Sequence, residues 1–158
     1  MGSKLFKEFL DKKMWMKLSP TDHIFSKHYY ISLEALLKRA RHEGVNAATK
    51  FTCTKTVMVK AICVAVELHR DEIERYCYSF SHDVIEPEYL VIEQDIFGTR
   101  RTDGVRVPYI LGGGYLRYEA RKGIENYIPS SRIRVIIQRL PGSGTPRFKV
   151  INAFPCID

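Results

Sequence analysis

The C-terminal stretch Arg132–Asp158 constrains the fold of this chain more than any other segment. Its sequence is RIRVIIQRLPGSGTPRFKVINAFPCID, in which two runs of alternating apolar and polar residues flank a Pro-Gly-Ser-Gly turn. Alternation with a period of two is typical of a strand with one buried face. Because glycine and proline between two such runs favour a tight connection, we predict a terminal β-hairpin.

The turn also predicts a register for this hairpin. It sets Ile137 opposite Phe148 and Val135 opposite Val150. The residues expected on the buried face are Ile133, Val135, Ile137, Phe148, Val150 and Asn152. Those expected on the open face are Arg132, Arg134, Gln138, Arg147 and Lys149, with Ile136 and Ile151 between them. A slip by one residue would bury the arginines, so the open face is cationic and is the candidate binding surface.

Helical spacing dominates the first half of the chain. Apolar residues at intervals of three to four predict a helix over residues 3–17, and Ser19-Pro20 is a start signal for a second helix. A third helix begins at Ser32 and stops at Gly44. Its expected inward residues are Leu33, Leu36, Leu37 and Ala40. The segment KTVMVKAICVAVELHRDEIERYCYSF fits one long helix that buries Met58, Ile62, Ala65, Val66 and Ile73, although its β-branched start also fits a strand.

Short apolar runs separated by turn signals dominate the second half. They are EYLVIEQDIF, VRVPYIL, GYLRYEAR and the two hairpin runs, with Gly112-Gly113-Gly114 as a hairpin turn between the second and the third. Helices followed by strands predict an α+β fold. We expect one domain over residues 1–158, with N-terminal helices in 1–79 packed on a C-terminal antiparallel sheet of about four to five strands in 80–158.

The net charge of +7 is unevenly distributed. Residues 100–158 hold eleven Lys and Arg against four Asp and Glu, and nine of the eleven are Arg, whereas residues 80–99 hold five carboxylates and no cation. Arginine binds phosphate through a planar fork, so an Arg-rich half suggests a surface for a polyanion. A solvated basic face explains the same charge, and charge alone leaves both interpretations open.

Several classes of protein are disfavoured. The longest apolar run, VMVKAICVAV, is interrupted by Lys60, and the N-terminus lacks the pattern of a signal peptide, so we expect no membrane segment. The four cysteines form no C-x-x-C pair, which argues against a zinc site, and we expect reduced thiols, no metal and no other cofactor. A disulfide stays an alternative.

Four residues are candidates for chemistry or recognition. His23 and His28 lie in TDHIFSKHYY, where imidazole titrates near neutral pH, but their spacing of five is poor for a shared metal. A surface or capping role is the alternative for each. Tyr115, in GGGYLRYEARKG, is a candidate stacking surface. Asn152 interrupts an apolar row, and a buried amide without partners costs about 1–3 kcal/mol. We expect Asn152 to bond a neighbouring loop, with a functional amide at the sheet rim as the alternative.

Two segments carry a resemblance to a known family. FSKHYYISLEALLKRARHEGVN is similar to the helical Ser-x-His…Arg…Arg-x-x-Gly-Val segment of bacterial polymorphic-toxin ribonuclease domains. The terminal KVINAFP is similar to their closing Val-x-Thr-Ala-Phe-Pro strand. These domains belong to the barnase/EndoU/colicin E5-D/RelE-like superfamily, in which helices precede an antiparallel sheet.

The resemblance implies a metal-independent ribonuclease, acting on RNA such as tRNA, in which the ribose 2′-hydroxyl attacks the adjacent phosphate. His28 matches the helix histidine of the family and would be the base or the acid. Arg132, Arg134 or Lys149 would hold the phosphate, and Asn152 stands where the family often has Thr. The family also implies an acidic immunity protein as a partner, and a cytoplasmic site of action after excision from a larger secreted precursor. A non-catalytic nucleic-acid-binding protein and a protein-interaction module with a basic surface are the alternatives.

Overall fold

The computed structural model describes residues 28–78, 89–100, 102–140 and 147–158. Within these ranges the helices are α1 (Leu33–His42), α2 (Lys55–Leu68), α3 (Arg70–Tyr78) and α4 (Arg117–Arg121). The strands are β1 (Ala47–Phe51), β2 (Leu90–Asp95), β3 (Phe97–Arg100), β4 (Arg106–Pro108), β5 (Gly112–Leu116), β6 (Ile128–Ser130), β7 (Arg132–Leu140) and β8 (Arg147–Pro155). The α+β class is confirmed, since helices pack against antiparallel sheets. The predicted helices over 3–17 and from Ser19 lie outside the described residues.

Helix α1 begins and ends where the sequence predicts. The Ser32 side chain accepts a hydrogen bond from the backbone N–H of Ala35 at 3.1 Å, which satisfies one of the unpaired donors of the first turn. Leu36 and Ala40 are buried as expected. Leu33 was expected to point inward, but it is 49% exposed because it lies in the first turn, at the surface end of the apolar stripe.

The predicted long helix is divided into two. Thr54 caps α2, and the chain breaks at His69 before α3 begins. His69 Nδ1 lies 3.1 Å from a carboxylate oxygen of Glu72, and Nε2 lies 3.1 Å from the amide oxygen of Gln94 on β2. The His69 side chain at the break therefore connects α3 to the C-terminal end of β2. The break leaves the apolar stripe intact. Its five expected members are all buried, namely Met58, Ile62, Ala65, Val66 and Ile73.

The strands lie in two three-stranded sheets and one ribbon. The C-terminal sheet has the order β2-β7-β8, and α2 packs against one face of it. Its buried side chains are Ile92, Ile133, Val135, Ile137, Phe148, Val150 and Ala153. The second sheet has the order β1-β5-β6 and packs against α1 through a smaller core. Strands β3 and β4 pair as a two-stranded ribbon. Strands β1 and β6 were not expected from the sequence.

The glycine triplet is a strand and not the predicted hairpin turn. Gly112, Gly113 and Gly114 begin β5, the central strand between β1 and β6. A Cβ atom on any of the three would collide with backbone atoms of a neighbouring strand. The glycines therefore allow three strand backbones to approach closely, which is one reason that glycine occurs inside strands.

The terminal hairpin forms, but its register differs from the prediction. Ile137 faces Val150 instead of Phe148, and Val135 faces Ala153. Strand β7 ends at position 140 and β8 begins at position 147, so the connection is two residues longer than the predicted four-residue turn. A shift of two residues preserves the alternation, and Phe148 and Val150 are buried as expected.

A β-bulge reverses the expected orientation of Asn152. Ile137 pairs with Val150, whereas the preceding residue of β7, Ile136, pairs with Asn152, so Ile151 is the extra residue on β8. One extra residue changes the face to which the following side chains point. Asn152 was expected on the buried face, but the bulge places it on the open face of the C-terminal sheet.

The described residues bear on two expectations, one about membrane-spanning helices and one about the cysteines. No helix in these ranges is long and apolar enough to cross a membrane. No disulfide joins the four cysteines, all of which lie in the described part of the chain. Cys77 and Cys156 are buried, as expected of thiols that serve as small core residues.

Candidate active site

One cavity lies where the open face of the C-terminal sheet meets α1 and β1. Its volume is about 390 Å³. The polar and aromatic residues that matter for its chemistry are His28, Arg39, Thr49, Arg134, Asn152 and Phe154. They come from five separate parts of the chain, so only the tertiary fold brings them together. Two of the predicted catalytic residues, His28 and Asn152, are among them.

His28 is held in a defined orientation. Its ring is 3% exposed, and Nδ1 lies 3.0 Å from the backbone carbonyl oxygen of Thr49. A carbonyl only accepts, so Nδ1 donates this hydrogen bond. The ring also stacks on Phe154, with centroids 4.9 Å apart and planes inclined by 27°. These two contacts fix the tautomer and the plane of the imidazole.

Three buried polar atoms in the cavity lining lack hydrogen-bond partners within the described part of the chain. They are Nη1 of Arg39, Oγ1 of Thr49 and Oδ1 of Asn152. An orphaned buried polar group costs about 1–3 kcal/mol, so three at one place are unusual in a stable fold. The set contains a cationic donor, a hydroxyl and an amide oxygen. A polar ligand with both acceptor and donor atoms would satisfy all three.

Arg39 is a cavity residue that the sequence reasoning did not single out. It lies on α1 with its side chain only 10% exposed, and its Nε donates to Glu43 at 2.8 Å. This hydrogen bond holds the guanidinium in place, while the Nη1 donor of Arg39 stays unsatisfied. The available signal was the position of Arg39 one turn after Leu36 and next to Ala40, which places an arginine at the edge of a buried stripe.

Arg132 and Arg134 do not form the open cationic surface that we expected. Strand β2 sets Glu93 opposite Arg134 and Asp95 opposite Arg132. Glu93 accepts from Nη2 and Nε of Arg134 at 2.9 and 3.2 Å, and Asp95 accepts from Arg132 at 3.2 Å. Asp158 lies 3.3 Å from Arg134. Hydrogen bonds from Arg134 hold the pKa of the Glu93 carboxyl below its ordinary value. Much of the positive charge of this face is therefore neutralised within the protein.

Arg134 has a second contact inside the cavity. Its guanidinium lies 5.7 Å from the centre of the Phe154 ring, whose other neighbour is His28. The Phe154 ring thus contacts the base candidate and an arginine that Glu93 and Asp158 keep in place. We interpret Arg134 as a residue that positions the cavity wall.

The remaining candidates lie elsewhere. Lys149 is exposed and does not line the cavity. Its partner on β7 is Gln138, which lies two positions beyond the cavity residue Ile136. The backbone of Arg147 pairs with position 140, and its side chain lies outside the described residues, as does the whole of His23. Tyr115 was expected to offer a stacking surface. It is 8% exposed and packs against Tyr127 in the smaller core, so little of its surface is open to a ligand.

The described residues contain no group of three or more His, Cys, Asp or Glu side chains arranged to hold a metal ion. The cavity lies in an α+β fold and brings a buried histidine, an arginine and an amide around one polar site. No known family model matches this sequence, and no curated protein is significantly similar to it.

A solved structure shares the fold. It is a chain in the crystal structure of a CdiA-CT/CdiI complex from Y. kristensenii 33638, with a TM-score of 0.61. The match covers 85% of this chain and 99% of that chain, at 22% sequence identity. At this identity the likeness establishes a common fold over nearly the whole of the other chain.

Proposed function

We propose that this chain is the ribonuclease of a toxin–immunity pair and that it cleaves RNA through the ribose 2′-hydroxyl. The observation that carries the proposal is the cavity, in which the oriented His28 lies beside three unsatisfied polar atoms. The family resemblance of the His28 and Asn152 segments supports the same chemistry. The shared fold with a chain of a CdiA-CT/CdiI complex, a toxin–immunity complex, supports the biological setting.

The chemistry needs a base, a source of positive charge at the phosphate and a contact to the ribose. His28 Nε2 takes the proton of the 2′-hydroxyl, whose oxygen then bonds to phosphorus. The bond between phosphorus and the 5′-oxygen breaks, and that oxygen takes a proton from water. The products are a 2′,3′-cyclic phosphate and a 5′-hydroxyl, and no metal is required for this step.

The unsatisfied atoms have natural partners in this reaction. Arg39 Nη1 and the Thr49 hydroxyl donate to phosphate oxygens, and the arginine stabilises the charge that develops there. Asn152 Oδ1 accepts from a sugar hydroxyl, a role in which an amide replaces the threonine of the resembling family. The proposal assigns the phosphate to Arg39, whereas the resemblance implied Arg132, Arg134 or Lys149.

Cleavage of purified RNA in excess EDTA tests the proposal. We expect His28→Ala and Arg39→Gln to lower the rate by about 10²-fold or more, because each removes one component of acid–base or electrostatic catalysis. His42→Ala is the matched control, since His42 is an exposed histidine on the same helix as Arg39. His23→Ala tests the other candidate histidine. Cleavage that requires a divalent metal, or that survives His28→Ala, would refute the proposal.

The substrate provides a second check on the attacking group. A 2′-O-methyl RNA of the same sequence and the corresponding DNA should resist cleavage, because neither has a free 2′-hydroxyl. Detection of the cyclic phosphate by mass spectrometry identifies the step directly. Intact RNA that is retarded on a gel would instead favour a non-catalytic RNA-binding protein, and RNA that is neither bound nor cut would favour a protein-interaction module.

A further inference from the structure

The β3–β4 segment, residues 96–100 and 102–110, carries exposed apolar side chains whose role the cavity does not explain. We call it the exposed ribbon. Its two short strands pair with each other and join neither three-stranded sheet. Its large apolar side chains are 40–52% exposed, and they are Phe97, Val105, Val107, Tyr109 and Ile110. Five exposed large apolar side chains on one short segment indicate an interaction site.

The exposed ribbon has a defined conformation. Asp103 Oδ1 accepts from the backbone N–H of Val105 at 3.1 Å, and Gly104 adopts a φ of 83°, so the turn is closed by its own residues. At the base, the Tyr109 N–H donates to the Ile96 carbonyl at 2.9 Å. One hydrogen bond thus closes the turn and another closes the base of the ribbon.

Both faces of the exposed ribbon carry apolar groups. Alternation along β4 puts Val107 on one face. Arg106 lies on the other face, where its guanidinium is 6.0 Å from the centre of the Phe97 ring. A two-stranded ribbon also has an unpaired backbone edge on each side. Only a partner that encloses the ribbon, or that adds a strand to its edge while covering one face, buries these groups.

The charge of the exposed ribbon indicates the chemistry of that partner. Residues 96–110 contain three arginines and one aspartate. The register sets the arginine positions 100 and 106 opposite each other. Among the described residues, no carboxylate forms an ion pair with Arg106, in contrast to Arg132 and Arg134. Acidic side chains beside an apolar cleft would complement both properties of the ribbon.

We infer that the exposed ribbon is the docking element for the acidic immunity-type protein, an inference that rests on the proposed function. Three of the five exposed apolar side chains are valine or isoleucine, which offer no surface on which a nucleic-acid base stacks, so this majority favours a protein. A second copy of this chain is disfavoured, because two ribbons of the same charge repel and each chain carries +7. The ribbon thus separates partner recognition from the cavity chemistry.

The test measures binding of the protein encoded by the reading frame immediately downstream, by isothermal titration calorimetry. Val107→Asp and Arg106→Glu should each weaken binding by about thirtyfold or more, as expected of interface hot spots. Val64→Asp and Arg75→Glu are matched controls, because Val64 is similarly exposed on α2 and Arg75 is exposed on α3. Circular dichroism should show all four variants folded.

The outcomes separate the inference from the proposed function. His28→Ala should bind the partner like the wild type, since binding does not use the catalytic imidazole. If the downstream product binds equally to the ribbon variants and to the controls, or does not bind at all, the inference is overturned even where RNA cleavage depends on His28. Binding that depends on the ribbon without RNA cleavage would overturn the ribonuclease and keep the ribbon as a docking element. Self-association that Val107→Asp abolishes would replace the partner by a second copy and overturn the inference.

Discussion

Substitution of Gly114 by alanine tests the link between the glycine strand and the cavity. A Cβ at this position would lie 2.7 Å from Thr49 Cα and 2.8 Å from the Ala48 carbonyl carbon, and it would overlap the Ala48 carbonyl oxygen. All three atoms belong to the backbone of β1, which cannot turn aside as a flexible side chain does. Gly114→Ala therefore forces β1 away from β5.

The expected loss of stability is large. Overpacking of a rigid site costs about 1–3 kcal/mol, and each weakened ladder hydrogen bond adds about 1 kcal/mol. The β1–β5 register spans five residue pairs, of which Thr49 with Gly114 is the central one. We therefore expect Gly114→Ala to lower the free energy of unfolding by about 3–5 kcal/mol, out of a typical total of about 5–15 kcal/mol. For a chain of this length that corresponds to a decrease in Tm of about 10 °C.

If the proposed ribonuclease function holds, the same substitution should also lower the rate of RNA cleavage. The Thr49 carbonyl is the acceptor that fixes Nδ1 of His28, so a displaced β1 releases the imidazole from its orientation. We would measure urea denaturation and RNA cleavage on the same preparation, at a temperature where the variant is folded. A decrease in the cleavage rate under those conditions reports the position of β1 and not the fraction of unfolded protein.

Two other glycines serve as controls. A Cβ on Gly44 meets nothing within 4 Å, and one on Gly98 makes an ordinary contact of 3.5 Å with Tyr109. Gly44→Ala and Gly98→Ala should change the free energy of unfolding by less than about 1 kcal/mol. If Gly114→Ala is as stable as these controls, the tight β1–β5 approach is wrong, and with it the placement of Thr49 in the cavity.

Two further predictions concern titratable groups. Hydrogen bonds from Arg134 lower the pKa of Glu93, so its ionised form stabilises the fold above the ordinary carboxyl pKa, and this contribution is lost as the pH falls through the lowered value. Glu93→Gln should flatten acid denaturation and change stability at neutral pH by less than about 1 kcal/mol, since the carboxylate is partly exposed; an unchanged acid transition would contradict this. Burial raises the pKa of the Cys77 and Cys156 thiols to about 11. Iodoacetamide at pH 8 should therefore label both at least about tenfold more slowly in the folded protein than in urea, as followed by mass spectrometry, and equal rates would contradict the burial.

Local sequence signals predicted the elements whose determinants are themselves local. Ser32 caps the start of α1, and the helix ends at His42, just before Gly44, because start and stop signals act within one turn. The alternation of Val135 and Ile137 predicted the buried face of β7 because each strand residue is two positions from the next on its face. These features need no knowledge of what the element packs against.

The cavity depended on long-range features that one sequence does not reveal. Glu93 and Arg134 are 41 positions apart, and only the β2–β7 register makes them a pair. The glycine triplet has the composition of a turn, and its role as a strand follows from the two backbones beside it. The orientation of Asn152 follows from a single unpaired residue, Ile151, and the alternation pattern alone placed the amide on the wrong face.

The neutralised arginines and the bulge both favour the cavity over the open cationic face as the site of the proposed function. If a broad basic face bound RNA, the bulge would have no function and the pairing of Arg134 with Glu93 would only weaken binding. In the structure the bulge turns Asn152 toward the cavity, and Arg134 contacts the Phe154 ring on which His28 rests. Among the described residues that line the cavity, the cation with an unsatisfied donor is Arg39, buried on another element. We therefore expect recognition to depend on a few oriented groups in the cavity and not on the net charge.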